Sequence, residues 1–148
     1  MEKKVFCQTL SQLKVPEGYC SNMRNLVTME DLKLYGLKSH DYHALMQQLL
    51  PVSLRSVLPK HVRHTICRLS FFFNALCSKV VDVAALDKLQ NDVVVTLCLL
   101  EKYFPPSFFD IMLHLTMHLV RGVKLCGLVY LRWMHPCERF MKVLKEYV

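Results

Sequence analysis

From Asp82 to Pro106 the chain reads DVAALDKLQNDVVVTLCLLEKYFPP. Leu86, Leu89 and Val93 follow a three-four spacing, so the first half is amphipathic and helical. The second half, Val94 to Leu100, is apolar nearly all round, which predicts a helix at the centre of the core. Its β-branched run also suits a buried strand, but the pattern is long and continuous with its polar flank, which favours a helix over Val83 to Phe104. Asp82 is placed to cap that helix, and Pro105-Pro106 ends it.

Upstream, Pro59 opens a second long helix to about Lys79. Val62, Ile66, Leu69, Phe73 and Leu76 form its apolar stripe. Lys60, His64 and Arg68 lie on the opposite side with Arg63 nearby, and Phe71 projects among them. Ser39 or Asp41 can cap a helix to Leu50, and Pro51 fits the start of a short one after it. A first helix is expected from Glu2 to Lys14. Tyr19 to Leu37 reads as an irregular connector with a break at Gly36. Strand signals are weak, with no hairpin dipeptide and no sustained alternation.

Downstream, Ser107 can cap a helix from Phe108 to about Lys124 that buries Phe108, Met112, Leu115 and Leu119. Cys126-Gly127 marks its exit. A tight aromatic stretch follows from Leu128 to Met134. Pro136 opens a last helix with the stripe Phe140, Val143, Leu144 and Tyr147. The expected fold is all-α: a multi-helix single domain over residues 1–148 with a central apolar helix.

The 148 residues, 53% hydrophobic with four Gly and six Pro, are a globular composition large enough for one core. The seven Cys are odd in number and form no C-x-x-C pair, which fits a reducing compartment and no disulfide framework. No apolar signal core follows Met1-Glu2-Lys3-Lys4, and the longest apolar stretch is too short to span a bilayer. An intracellular chain with no membrane segment is expected.

The net charge of +7 is unevenly distributed. Pro51 to Lys79 holds five bases and no acid, and Arg121 to Lys145 holds six bases against Glu138. Val80 to Asp110 lies between them with five acids and two bases. Such segments permit an anionic partner such as nucleic acid. The candidate contacts are Lys60, Arg63, His64 and Arg68 in the first segment, and Arg132, Arg139 and Lys142 in the second. The blander reading is a solvated surface that pairs internally, with Phe71 packed against another helix.

Asp110, His114 and His118 are four apart and share a helix face. Leu115 follows His114, so the H-E-x-x-H base is absent, and no third ligand stands at useful spacing. They read as a polar face, and no metal site is assigned. No Gly-rich phosphate loop is present. Glu138 lies in the first turn of the predicted last helix, where the dipole favours a carboxylate and Lys142 can pair with it.

Several phrases are recognisable: Gly36-Leu37-Lys38-Ser39-His40-Asp41-Tyr42-His43, Leu45-Met46-Gln47-Gln48-Leu49-Leu50-Pro51 and Leu58-Pro59-Lys60-His61-Val62-Arg63. Further on come Leu100 to Asp110 (LEKYFPPSFFD), Tyr130-Leu131-Arg132-Trp133-Met134 and Glu138-Arg139-Phe140-Met141-Lys142. Together they resemble the uncharacterised domain that follows the catalytic core of plant CACTA (En/Spm-type) transposases. The resemblance implies a nuclear transposable-element protein, with DNA and the catalytic part of a transposase as partners. The mixed periodicity of Tyr19 to Leu37 adds the expectation that residues 1–37 depend on residues upstream. In that family, acidic residues hold divalent metal ions on a core this chain does not include; the chain alone calls for no cofactor. Glu138 is the candidate for a last metal-binding glutamate, active only when joined to such a core. The chain departs from the pattern at Gly122, where the family carries Glu, and at Leu128, His135 and Cys137.

Three readings follow: a non-catalytic helical domain of a CACTA-type transposase that contacts DNA or protein, a part of a split DDE nuclease, or a domesticated protein-interaction module.

Overall fold

The computed structural model describes residues 2–16, 20–132, 141 and 143–145, without the side chain of Met112. Across them the chain is predominantly helical, as expected. Helix α6 spans Leu86–Tyr103. It starts later than the sequence predicts, because Asp82 caps a turn ahead of it: its Oδ1 accepts the Ala84 N–H at 2.9 Å. Only one face of α6 is fully buried, through Leu86, Val93, Thr96 and Leu100. Val95 is 49% exposed and Cys98 faces outward. The run from Val94 to Leu100 is therefore not enclosed on all sides, since helices cover only part of its circumference.

The reason lies in α5, Lys60–Leu76, which packs against α6 and also against the N-terminal elements. Two clusters of buried side chains result, rather than one core around Val94 to Leu100. One joins Phe72 and Leu76 of α5 to Leu86 and Val93 of α6 and to Val120 and Val123. The other joins Leu10, Met23 and Leu49. Helix α5 belongs to the first cluster and on another side packs against Leu45–Leu49 and Leu50–Ser53, so it is covered on two sides. Of its predicted stripe, Leu76 is buried and Val62, Ile66, Leu69 and Phe73 are partly so; full burial extends to Thr65, Ser70 and Phe72. Thr65 stays satisfied by donating to the His61 carbonyl at 3.0 Å. Each fully buried Phe or Leu contributes about 1.5–3 kcal/mol.

The N-terminal layer holds α1 (Glu2–Gln12), α2 (Met23–Leu26) and a hairpin, β1 (Val27–Thr28) with β2 (Lys33–Leu34). The hairpin corrects the irregular connector read from the sequence. It carries no two-residue turn signal because its loop is four residues long and uses Leu32 at φ 52°, a left-handed position that side chains adopt at a cost. Next come α3 (Ser39–Ala44), a π-helical stretch (Leu45–Leu49) and α4 (Leu50–Ser53). The predicted stop at Leu50 is instead a widened turn: the Leu50 N–H bonds the Leu45 carbonyl, five residues back. Pro51 has no N–H and its ring would clash with the carbonyl four residues before it, so the π turn makes room for it.

Neither Ser39 nor Asp41 is the cap residue of α3; Lys38 is. Asp41, 1% exposed, reaches back from the first turn. Its carboxylate accepts the Lys38 N–H at 3.0 Å and the Ser21 N–H at 2.7 Å. It thereby pins the segment before α2 onto the start of α3.

Beyond α6, the single helix predicted over Phe108 to Lys124 is two. Ser107 lies in a 3-10 turn, Pro106–Phe108, and Asp110 is the side chain that caps α7 (Ile111–Thr116), accepting the Leu113 N–H at 3.1 Å. The chain then tightens through Met117 and His118 before α8 (Leu119–Cys126). Gln90 of α6 donates to the Met117 carbonyl at 3.0 Å, giving the break a partner. The break turns α8 so that Val120 and Val123 enter the core, while Phe108 and Leu115, expected inside, are exposed. Leu119 is partly buried, and the Met112 side chain lies outside the described residues. Gly127 closes α8 at φ 78°, and its N–H bonds the Val123 carbonyl at 2.9 Å. A last 3-10 turn spans Val129–Arg132. Pro136, Phe140 and Tyr147 of the predicted last helix lie outside the described residues. No helix among the described residues is long and apolar enough to cross a membrane.

Two stability predictions follow from these placements. A Cβ on Gly122, inside α8, meets nothing closer than the Arg132 Nη2 at 3.9 Å. Gly122→Ala should therefore raise stability by about 1 kcal/mol in urea titration; a loss would mean that α8 is packed differently. For Asp41, burial raises the carboxyl pKa, but the N–H donors of Ser21 and Lys38, the Ser21 hydroxyl and nearby His40 together outweigh it and hold it below the usual value. A depressed folded pKa gives stability that is present above the unfolded value and lost as pH falls through the folded one. Asp41→Asn should cost about 2 kcal/mol at pH 7. That deficit should shrink as pH drops through the ordinary carboxylate range near about 4 and below. A deficit independent of pH would show that the carboxylate charge is not what holds the joint.

Candidate nucleic-acid interface

The first turns of α5 begin at Pro59, whose ring suits a helix start, and carry no acid. The helix dipole leaves partial positive charge there, and the bases add to it. Lys60 and His64 are exposed one turn apart on the outer face. Phe71, 69% exposed, continues that face two turns on. An exposed ring next to bases can stack on a nucleobase.

The structure separates the predicted contacts. Arg63 turns back: its Nη1 donates to the Arg55 carbonyl and clamps the turn before α5. Arg68 is drawn against α6, where its Nε donates to Thr96 Oγ1 at 3.2 Å and its Nη2 lies 3.4 Å from Asp92 Oδ1. Thr96 in turn donates to the Asp92 carbonyl at 2.7 Å. Arg68 is thus an inter-helix tie, which corrects its place on a free basic face. Its spacing with Lys60 and His64 was legible, but the acid it meets lies 24 residues away and on another helix. Conversely, Arg55, one of the five bases of its segment, joins the surface. It is exposed, and the Arg63 clamp brings its backbone against α5. The group at the helix start is therefore Arg55, Lys60 and His64, with Arg63 behind them.

In the second basic segment, Lys124 pairs with Asp87 of α6, while Arg121 and Arg132 are exposed. Lys79 lies 5.4 Å over the Tyr130 ring. Arg139, Lys142 and Glu138 lie outside the described residues.

The other histidines divide as well. His61 packs on Tyr103 of α6 with ring centroids 4.9 Å apart, away from His64. His114 and His118 do meet, edge to face at 5.3 Å, across the α7–α8 break. Among the described residues, no three His, Cys, Asp or Glu side chains converge as a metal-ligand group. A cavity of about 930 Å³ lies between the end of α1 and α2, lined in part by Lys14, Cys20 and Arg24. It belongs to the N-terminal layer rather than to the α5 surface. Burial raises the Cys20 thiol pKa, and the Asp41 charge adds to it. Burial pushes Cys77 up to about 11.

Residues 76–148 match the family model described as a domain of unknown function (DUF4218). The matched segment starts at the last residue of α5 and takes in α6, α7 and α8; the Gly36 to Arg63 phrases lie outside it. No curated protein and no solved structure matches the chain.

The thiol placements are checkable. In the native chain, Cys98 and Cys126 are exposed and should react with a maleimide first. Cys77 should lag by about a hundredfold or more, because its pKa reduces the thiolate and its burial blocks access. Equal rates in a folded sample would contradict the α5–α6 packing.

Proposed function

We propose that this chain is a non-catalytic helical module that contacts DNA, of the kind that accompanies the catalytic core of CACTA-type transposases in the nucleus. The observation that carries the reading is the acid-free group Arg55, Lys60 and His64 at the start of α5, with Phe71 exposed beyond it. Compact bases at a helix N-terminus bind phosphate oxygens, which fixes position without reading sequence. The ring supplies a stacking surface where bases are unpaired. The DUF4218 match in residues 76–148 is compatible with this context, and the resemblance across the remaining phrases supports it. In this reading the chain supplies backbone contacts and a rigid helical platform. Strand cleavage belongs to a core carried elsewhere.

Salt dependence of duplex binding tests the proposal. Each base that meets a phosphate contributes close to about 0.9 to the slope of log K against log salt. Arg55→Ala and Lys60→Ala should each flatten the slope by about 1. Arg68→Ala should leave the slope unchanged and cost at most about 1 kcal/mol of stability, because it removes a partly exposed ion pair. Absence of duplex binding at low salt, or a slope that only Arg68→Ala changes, would refute the assignment.

A further inference from the structure

Helices α6 and α7 do not close on each other. Between them runs a groove of about 310 Å³. Val94 and Leu97 of α6 and Leu113 and Met117 of α7 line it, with Cys98 at its edge. Two acids, Glu101 and Asp110, stand at one end. An apolar trough with an acidic end, on a chain of net charge +7, suits an amphipathic helix that carries bases beside its apolar stripe.

The chain contains such a segment. Phe140, Val143, Leu144 and Tyr147 form an apolar stripe at helical spacing, and Arg139, Lys142 and Lys145 recur every third residue beside it. The stripe is two turns long, about 10 Å, and Val94 to Glu101 on the groove is equally long. Val143 and Leu144 are 46% and 44% exposed, and Met141 and Lys145 are exposed as well. Within one chain, then, the groove is lined from α6 and α7 while Val143 and Leu144, the described members of the stripe, stay exposed to solvent.

We infer that the α6–α7 groove receives the C-terminal segment of a second copy of this chain, giving a dimer by reciprocal exchange. One groove and one segment per chain satisfy both interfaces at once, so the assembly closes with two-fold symmetry and leaves no free end. Leu144 and its stripe neighbours enter the trough, and Lys145 approaches the end marked by Glu101.

Sedimentation of the full chain from micromolar to sub-millimolar concentration tests this, with Cys98 alkylation followed in parallel. The expected result is a monomer–dimer equilibrium in which Cys98 reacts more slowly as dimer forms. Leu144→Glu and Glu101→Lys, each checked for an unchanged far-UV spectrum, should weaken association by about tenfold or more. Combining Glu101→Lys with Lys145→Glu should recover most of the loss, which a merely destabilised fold would not do. A monomer at every concentration overturns the inference, including one whose Cys98 is shielded by its own C-terminal segment. So does a dimer that ignores both single substitutions.

Discussion

The packing between the two halves of the described chain depends on one helix that is buried twice. Helix α5 takes α6 on one side and the π turn and α4 on the other. An amphipathic helix has one apolar stripe of limited width, so a second buried side has to be built from small or self-satisfied polar residues. Thr65 and Ser70 fill that role, and Thr65 returns its hydroxyl to its own helix. What is left for solvent is a narrow strip, and the strip carries Lys60, His64 and Phe71. The surface available to a partner is thus set by packing before it is set by charge.

The same constraint divides the arginines. A guanidinium on a long stem can serve either the surface or an interface. Arg68 sits where α5 leans on α6, so Thr96 and Asp92 capture it. Arg63 sits one turn from the helix start, close enough to the preceding turn to take the Arg55 carbonyl. A count of positive charge treats these residues alike. Their partners do not, and a partly exposed ion pair contributes little stability while still removing a free base from the exposed surface.

Apolar periodicity and proline placement identified α5 and α6, because those signals are local. Pro51 and Gly127 also marked real features, although Pro51 produced a widened turn rather than a stop. The helix over residues 108–124 was misjudged because its break has no glycine or proline; it depends on Gln90 reaching the Met117 carbonyl from another helix. The burial of Phe108 and Leu115 failed with it. The hairpin was missed because its turn relies on a leucine in a left-handed conformation, which no propensity favours. At the candidate interface, Lys60 and His64 could be read from spacing, whereas the diversion of Arg68 required knowing that α6 packs alongside.

Packing also bears on where the structural unit begins. The family match starts at residue 76, at the end of α5. Yet the buried cluster of α6 and α8 includes Phe72 and Leu76, with Phe73 packed against it, all contributed by α5. Removing α5 would expose Leu86, Val93, Val120 and Val123 on the side that Phe72 and Leu76 cover, and would strip Arg68 from Asp92 and Thr96. Losing the burial of Phe72, which lies upstream of the match, forfeits about 1.5–3 kcal/mol, a large share of the net stability of a small domain. Residues 76–148 are therefore not a complete packing unit in this chain. The packing unit continues upstream through α5 onto the π turn and α4, and the basic surface lies on the helix that completes the packing of the matched segment.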